Sequence, residues 1–128
     1  MRVLLDTHAF LWWIGDDPRL SERAREVFSD GDNALVFSAA SGWEIAIKAR
    51  LGRLHVPEDL NTYLFRQLTE NYTSVLPVHL SHALRVHALP DHHRDPFDRL
   101  LVAQAIVEEM PLLSADPRIA RYPVEVVW

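Results

Sequence analysis

Short apolar runs alternate with longer helix-like segments along this chain, and that order most constrains its fold. The apolar runs predict strands at residues 2–5, 34–37, 74–78, 112–114 and 124–127. Strands separated by helices normally pair in parallel, with each helix crossing a face of the sheet. The sequence therefore predicts an α/β fold, a three-layer sandwich in which a central, mostly parallel sheet of about four to five strands is flanked by helices.

Cap and stop signals predict the helices between these strands. They place helices at residues 8–14, 21–29, 58–71, 81–89 and 97–109, and another that starts at Ser38 or Ser41 and stops at Gly52. Pro57 is expected to open the helix at 58–71. The helix at 97–109 has little polar face, so we expect it to be largely buried.

Length and composition limit the class of protein. The chain has 128 residues, which predicts a single domain over residues 1–128. It has no cysteine, which excludes disulfides and thiolate chemistry, and it lacks an apolar run long enough for a membrane span. We expect a soluble, cytoplasmic protein. The net charge of -5 does not exclude nucleic acid as a partner, because a bound cation would reverse the local sign at an acidic site.

Four acidic residues follow strands or open helices in the predicted fold. Asp6 comes directly after the first strand, Glu44 lies early in the helix after the second, Asp98 opens the helix at 97–109, and Asp116 follows the fourth strand. In open α/β sheets the ligand crevice lies beyond the carboxyl ends of the strands, so these carboxylates are expected to converge. Their mutual repulsion favours a bound cation, and carboxylate oxygens suit Mg²⁺ or Mn²⁺.

Each acid also has a purely structural interpretation. Asp6 and Asp116 occupy positions where a carboxylate commonly caps a helix, and Glu44 could simply interact with a helix dipole. Asp95 and Asp98 both lie at one helix start, where Pro96 occupies the first helical position. Asp95 fits the cap better, which leaves Asp98 as the expected ligand. Taken singly, none of the four acids decides between the two interpretations.

Four motifs taken together resemble the PIN-domain ribonucleases, and more narrowly the VapC toxins of toxin-antitoxin pairs. They are, in chain order, Leu4-Leu5-Asp6-Thr7-His8, Ser41-Gly42-Trp43-Glu44-Ile45, Asp95-Pro96-Phe97-Asp98-Arg99-Leu100-Leu101-Val102-Ala103-Gln104-Ala105 and Leu113-Ser114-Ala115-Asp116. The resemblance implies a metal site formed by Asp6, Glu44, Asp98 and Asp116. Ser114 would support that site, at a position where many members have threonine. Asp95 is an additional acid typical of the subgroup.

The resemblance also implies activity and partners. It implies a Mg²⁺- or Mn²⁺-dependent ribonuclease in which a metal-activated water hydrolyses the phosphodiester, with a cognate antitoxin and a homodimeric state. An alternative is a non-catalytic PIN-like module that only binds RNA or protein, against which the presence of all four acids counts. A receiver-type protein with Asp6 as nucleophile is disfavoured, because Lys48 lies in a helix and no second acid lies two residues from Asp6.

Several residues near the predicted site are candidates for contacts with other molecules. His93, Arg94 and Arg99 flank it and are candidate contacts to RNA phosphate. Two adjacent tryptophans cannot point the same way on a helix, so Trp12 and Trp13 are candidate antitoxin contacts.

The histidines offer a competing metal site, which the sequence does not favour. His79 and His82 could share a helix face, but His87 lies at neither three nor four residues from His82. The sequence likewise does not favour the adjacent pair His92-His93 as metal ligands.

Overall fold

The computed structural model describes residues 1–128, with five strands and six α-helices. The strands are β1 (Arg2–Leu5), β2 (Ala34–Ser38), β3 (Ser74–Leu76), β4 (Leu112–Leu113) and β5 (Val126–Val127). The α-helices are α1 (Thr7–Ile14), α2 (Glu22–Ser29), α3 (Ala39–Arg50), α4 (Leu60–Glu70), α5 (Leu80–Arg85) and α6 (Pro96–Val107). Short 3₁₀ helices lie at Val86–Ala88 and Ile119–Arg121. None of the helices combines the length and apolar character needed to span a bilayer.

All five strands pair in parallel, in the order β3-β2-β1-β4-β5. This confirms the predicted α/β class. The chain first moves outward from β1 to β2 and β3, and then returns to place β4 on the other side of β1. The strand order therefore reverses between β1 and β4, and such a switch point is where open parallel sheets hold their ligands.

The sheet separates two hydrophobic cores, which confirms the three-layer arrangement. Val3, Leu5 and Phe37 point to one face, where α1, α2 and α4 cover them. Leu4 and Val36 point to the other face, which α6 covers. This alternation follows from the two-residue period of a strand, and burial on both faces explains why the strands are almost wholly apolar.

Several predicted boundaries differ from the structure. Helix α4 starts after Asp59, whose carboxylate accepts a hydrogen bond from the backbone N–H of Thr62 at 3.2 Å, so the expectation that Pro57 opens it was wrong. β3 ends before Pro77, which has no N–H for a strand ladder. The helix predicted at 81–89 is α5 followed by a 3₁₀ turn.

Helix α6 is largely buried, as predicted, and its buried polar residues are Asp98 and Gln104. Gln104 is fully buried, and its amide oxygen accepts a hydrogen bond from Ser38 Oγ at 2.5 Å. Its amide nitrogen donates to the carbonyl of Pro77 at 3.3 Å. Gln104 therefore joins α6 to the carboxyl end of β2, where α3 begins, and so fixes the helix that carries Glu44 against the helix that carries Asp98.

Candidate metal centre

Asp6 is both a helix cap and a member of the acidic cluster. It follows β1, and its Oδ1 accepts a hydrogen bond from the backbone N–H of His8 at 3.1 Å, which caps α1. Its Oδ2 accepts a hydrogen bond from Ser114 Oγ at 2.6 Å. The residue is only 4% exposed. The structural and functional interpretations of this residue are therefore compatible.

Ser114 joins the ends of the two central strands. Its hydroxyl donates to Asp6 and accepts a hydrogen bond from the backbone N–H of Asp116 at 3.1 Å. These partners come from opposite ends of the chain and meet because β4 lies beside β1. Ser114 thus fixes the orientation of one acid and the backbone of another, which is the supporting role proposed for it.

The structure separates the roles of Asp95 and Asp98 as the sequence suggested. Asp95 Oδ1 accepts hydrogen bonds from the backbone N–H groups of Phe97 at 2.8 Å and Asp98 at 3.2 Å, so Asp95 is the N-cap of α6. Asp98 lies in the first turn, is 9% exposed and faces the same cleft as Asp6 and Asp116. Asp95 also lines this cleft.

Glu44 is buried on α3 with one oxygen paired and one unpaired. Its Oε2 lies 2.9 Å from Lys48 Nζ, one helical turn later. Its Oε1 is buried and has no hydrogen-bond partner. A buried carboxylate oxygen without a partner is costly, and a cation is one group that would remove that cost.

The site raises the pKa values of two of its carboxyl groups. Burial, followed by the negative charges of Asp6, Asp95, Glu44 and Asp116, raises the pKa of Asp98 to about 8. Burial also raises the pKa of Asp6, although the hydrogen bonds from Ser114 and His8 oppose that shift. In Asp116, burial is outweighed by hydrogen bonds from Arg118 and His93, which lower its pKa. Desolvation and like charge are the expected causes of such shifts, and they mark an acidic cluster that favours a cation.

His93 lies inside the acidic cluster, a position that the sequence did not predict. Its Nε2 is 2.9 Å from Asp98 Oδ2 and 2.9 Å from Asp116 Oδ2. Candidate ligand atoms of these three residues all lie within 4.8 Å of one another. The only local signal was its place two residues before the helix cap Asp95, from which a side chain can fold back over the helix start.

Arg99 holds the loop before α6 rather than facing outward. Its guanidinium donates to the carbonyls of Pro90 at 3.0 Å and Val86 at 3.3 Å, and to Tyr122 Oη at 3.1 Å. The side chain is 16% exposed. Arg99 is therefore poorly placed to contact RNA phosphate, because its N–H donors are directed at oxygen atoms of the protein itself. Arg94 is exposed on the same loop.

The two adjacent tryptophans have different surroundings. Trp13 stacks on Phe28 with ring centroids 4.8 Å apart, and its Nε1 donates to Asn71 Oδ1 at 2.8 Å. It is therefore part of the packing between α1, α2 and the end of α4. Trp12 instead lines the acidic cleft, where the Arg19 guanidinium lies 4.9 Å from its ring centroid.

An open cleft of about 670 Å³ is lined by Asp6, Asp95, Asp98 and Asp116, but not by Glu44. Basic side chains surround its acidic floor, namely His8, Arg19 and Arg118. Arg118 pairs with Asp116 at 3.2 Å, and its side chain is 60% exposed. An acidic floor with a basic and aromatic rim is suited to a ligand that is itself anionic and binds through a cation.

The residues present fit a divalent cation. The four acids supply only oxygen ligands, the unpaired Oε1 of Glu44 is buried, and Asp98 has a raised pKa that a positive charge would reverse. Hard oxygen ligands of this kind suit Mg²⁺ or Mn²⁺ rather than zinc. Asp6, Glu44, Asp98 and Asp116 are the residues that would hold it.

One sequence relative matches this chain over nearly its full length, and another matches about half of it. The chain is 35% identical over 130 residues to ribonuclease VapC22 of Mycobacterium tuberculosis strain ATCC 25618 / H37Rv, an alignment that covers 98% of each protein. It is 41% identical over 69 residues to ribonuclease VapC16 of the same strain, covering 51% of this chain and 49% of that protein.

Solved structures share the fold. The chain superposes with a TM-score of 0.73 on a chain of VapBC2 from Rickettsia felis bound to a promoter DNA fragment, at 15% identity and covering 98% and 97% of the two chains. It superposes with a TM-score of 0.64 on a chain of FitAcB from Neisseria gonorrhoeae, at 17% identity and covering 97% and 95%. Residues 3–125 match the PIN domain family. The architecture, the acidic cleft and these matches agree, and this chain belongs to the PIN domain family.

Proposed function

We propose that this protein is a Mg²⁺- or Mn²⁺-dependent ribonuclease that acts in the cytoplasm as the toxin of a toxin-antitoxin pair. The observation that carries the proposal is the convergence of the acids at the β1/β4 switch point, with one buried carboxylate oxygen unpaired. The full-length similarity to a VapC ribonuclease supports RNA as the substrate.

The chain's own residues would prepare the site for phosphodiester hydrolysis. When bound there, the cation would lower the pKa of a water and offset the charge on the leaving oxygen. Asp6, Asp98 and Asp116 are direct or water-mediated ligands in this proposal, and Glu44 holds a second cation or orients the attacking water. Ser114 holds the Asp6 carboxylate and the backbone of Asp116 through its hydroxyl.

Exposed arginines on the rim of the cleft would receive the RNA backbone. Arg118 and Arg19 pair with Asp116 and Asp17, and their side chains are 60% and 68% exposed. Surface ion pairs contribute little to stability, so a phosphate can compete for these guanidinium groups at small cost. Arg94 is a further exposed candidate, next to Asp95 in the chain.

Cleavage of RNA in the presence and absence of metal tests the nuclease proposal. Purified protein is expected to cut RNA with added Mg²⁺ or Mn²⁺ and to lose cleavage when a chelator is added, because the carboxylates cannot activate a water without a cation. Undiminished cleavage in excess chelator would refute the metal mechanism. Growth arrest on expression, relieved by a neighbouring small gene, is the expected cellular result.

An apolar groove beside α1 is a suitable site for the antitoxin. Leu11 and Ile14 of α1 form one wall, and Leu60, Tyr63 and Leu64 of α4 form the other. The groove includes Leu11 and Ile14 but not Trp12 or Trp13, which stay candidate antitoxin contacts next to it in the chain. A short apolar segment of the partner would fit here, since such grooves commonly receive amphipathic helices.

A second exposed apolar surface supports the homodimer. Trp43 on α3 and Leu51 directly after it are 63% and 60% exposed, and Leu80 and Leu84 on α5 are 73% and 64% exposed. Helices α3 and α5 both contact α6. Exposed apolar clusters of this kind mark interfaces.

The mass of the protein in solution tests the dimer. We propose that a second copy of the chain covers this surface, so light scattering is expected to give twice the 14.7 kDa of one chain. Leu84→Arg is expected to shift the mass to that of a monomer while leaving the melting temperature within a few degrees, because Leu84 is exposed in the single chain. A monomeric parent protein would contradict the proposal.

A further inference from the structure

The ring of His93 makes a different contact through each of its nitrogens. Nε2 lies 2.9 Å from Oδ2 of Asp98 and 2.9 Å from Oδ2 of Asp116. Nδ1 faces the backbone N–H of Asp95, which donates a hydrogen bond to it at 3.1 Å. The side chain is 3% exposed, so these groups rather than water form its surroundings. Both nitrogens therefore have defined partners.

The contact with Asp95 decides which nitrogen carries the hydrogen. A ring nitrogen that accepts a hydrogen bond uses its lone pair and carries no hydrogen, so the neutral ring has its hydrogen on Nε2. A hydrogen on Nδ1 would point at the N–H of Asp95 and bring two donors together at 3.1 Å. The Nε2–H of His93 consequently points between the two carboxylates and leaves Nε2 without a lone pair for a metal.

The surrounding loop keeps the ring in this orientation. Tyr122 Oη accepts hydrogen bonds from the backbone N–H of His93 at 2.9 Å and of His92 at 3.2 Å. The same oxygen accepts from Arg99 at 3.1 Å. The N–H that selects the tautomer belongs to Asp95, the cap of α6, and is therefore fixed by that helix. Rotation of the ring would cost both the Asp95 and the carboxylate contacts.

We propose that His93 is a positioning residue, not a metal ligand, which donates Nε2–H between Asp98 and Asp116 and holds the two carboxylates together for the cation. This inference rests on the proposed metal-dependent nuclease. It assigns one role to His93, as a hydrogen-bond donor, and another to Asp98 and Asp116, as metal ligands. A fixed donor between the two carboxyl groups offsets their repulsion once both are ionised. The cation would then be bound by oxygen atoms alone.

Nitrogen NMR of the His93 ring tests the tautomer directly. Spectra of the ¹⁵N-labelled protein, with the His93 signals assigned by their loss in His93→Gln, are expected to show a hydrogen-free Nδ1 and a hydrogen-bearing Nε2. The same pattern is expected after Mg²⁺ is added. A hydrogen-bearing Nδ1 in the Mg²⁺-loaded protein would show that Nε2 binds the metal and would overturn the proposal. Pulsed EPR of the Mn²⁺-loaded protein should likewise show no coupling to a directly bound histidine nitrogen.

Metal affinity of matched variants tests the positioning role. His93→Ala removes the donor and is expected to weaken Mn²⁺ binding about 10- to 100-fold, the usual loss when a group that orients metal ligands is removed. His93→Gln keeps an N–H in a similar place and is expected to recover part of that loss. His87→Ala, at an exposed histidine, is the control and should bind Mn²⁺ like the parent. Equal binding by parent and His93→Ala would contradict the role.

These measurements also separate the inference from the proposed function. If the parent protein binds neither Mg²⁺ nor Mn²⁺, the metal-dependent nuclease fails, whereas the ring tautomer of the metal-free protein still decides whether His93 donates through Nε2. If metal binds and RNA is cut but the ring hydrogen lies on Nδ1 instead of Nε2, only the role proposed for His93 is contradicted. Melting temperatures of the variants show whether any loss of affinity reflects unfolding instead.

Discussion

Asp98→Asn is expected to reduce RNA cleavage about a thousandfold, a loss similar to that seen when one preorganised charge-stabilising group is removed from an active site. The amide keeps the shape of the side chain but lacks the negative charge that would hold the cation. Asp98 caps no helix, since that role belongs to Asp95, so the fold should be retained. Initial rates of cleavage of a labelled RNA at saturating Mg²⁺ measure the effect.

Stability and a control variant make the result specific. The metal-free Asp98→Asn protein is expected to melt at a higher temperature than the parent at neutral pH, because folding no longer has to protonate a buried carboxyl group whose pKa is raised to about 8. Asp32→Asn, at an exposed acid in the turn before β2, is the control and should cleave like the parent. Cleavage by Asp98→Asn within about tenfold of the parent would place the metal elsewhere.

The metal-free protein is expected to lose stability as the pH rises from about 4 to about 8. This loss is expected to be larger than that of Asp98→Asn over the same pH range. The pKa of Asp98 rises from 3.8 in the unfolded chain to about 8 in the folded one. Between these values the folded state binds the proton and the unfolded state does not, so the slope of unfolding free energy against pH is negative. The contribution is fully present below pH 3.8 and is lost above pH 8.

Thermal or denaturant unfolding across this pH range measures the effect. The stability of Asp98→Asn minus that of the parent is expected to grow by up to about 1.4 kcal/mol per pH unit within the window. The raised pKa of Asp6 acts in the same direction, whereas the lowered pKa of Asp116 favours folding as the pH rises through the acid range. Both contributions are present in the two proteins, so the difference in stability between Asp98→Asn and the parent largely removes them. Added Mg²⁺ should stabilise the parent and change Asp98→Asn little. A difference that does not vary with pH would contradict the raised pKa.

The sequence was sufficient for features set by neighbouring residues. The order of strands and helices, the cap formed by Asp95 and the buried character of α6 all depend on spacing within one or two helical turns. The strand period of two residues likewise determined which side chains face each core. The four acids could be selected because each follows a strand or opens a helix, and parallel strands present those positions at one edge.

Contacts between distant residues could not be obtained in this way. Ser114 bonds to Asp6 across a separation of 108 residues, and this contact exists because β4 pairs with β1 rather than with β3. The sequence makes Trp13 a candidate contact to a partner, whereas in the structure it stacks on Phe28 and donates a hydrogen bond to Asn71. The sequence makes Arg99 a candidate contact to RNA, whereas in the structure its guanidinium donates to the backbone carbonyls of Pro90 and Val86.

The sequence by itself therefore determined the α/β class, the helix starts that carry local caps and the set of candidate acids, because these follow from short-range periodicity and capping chemistry. Only the tertiary structure decided that Asp6, Asp98 and Asp116 line one cleft and that His93 lies between Asp98 and Asp116. The physical reason is that strand order and loop packing depend on which surfaces bury one another. No local pattern encodes that pairing.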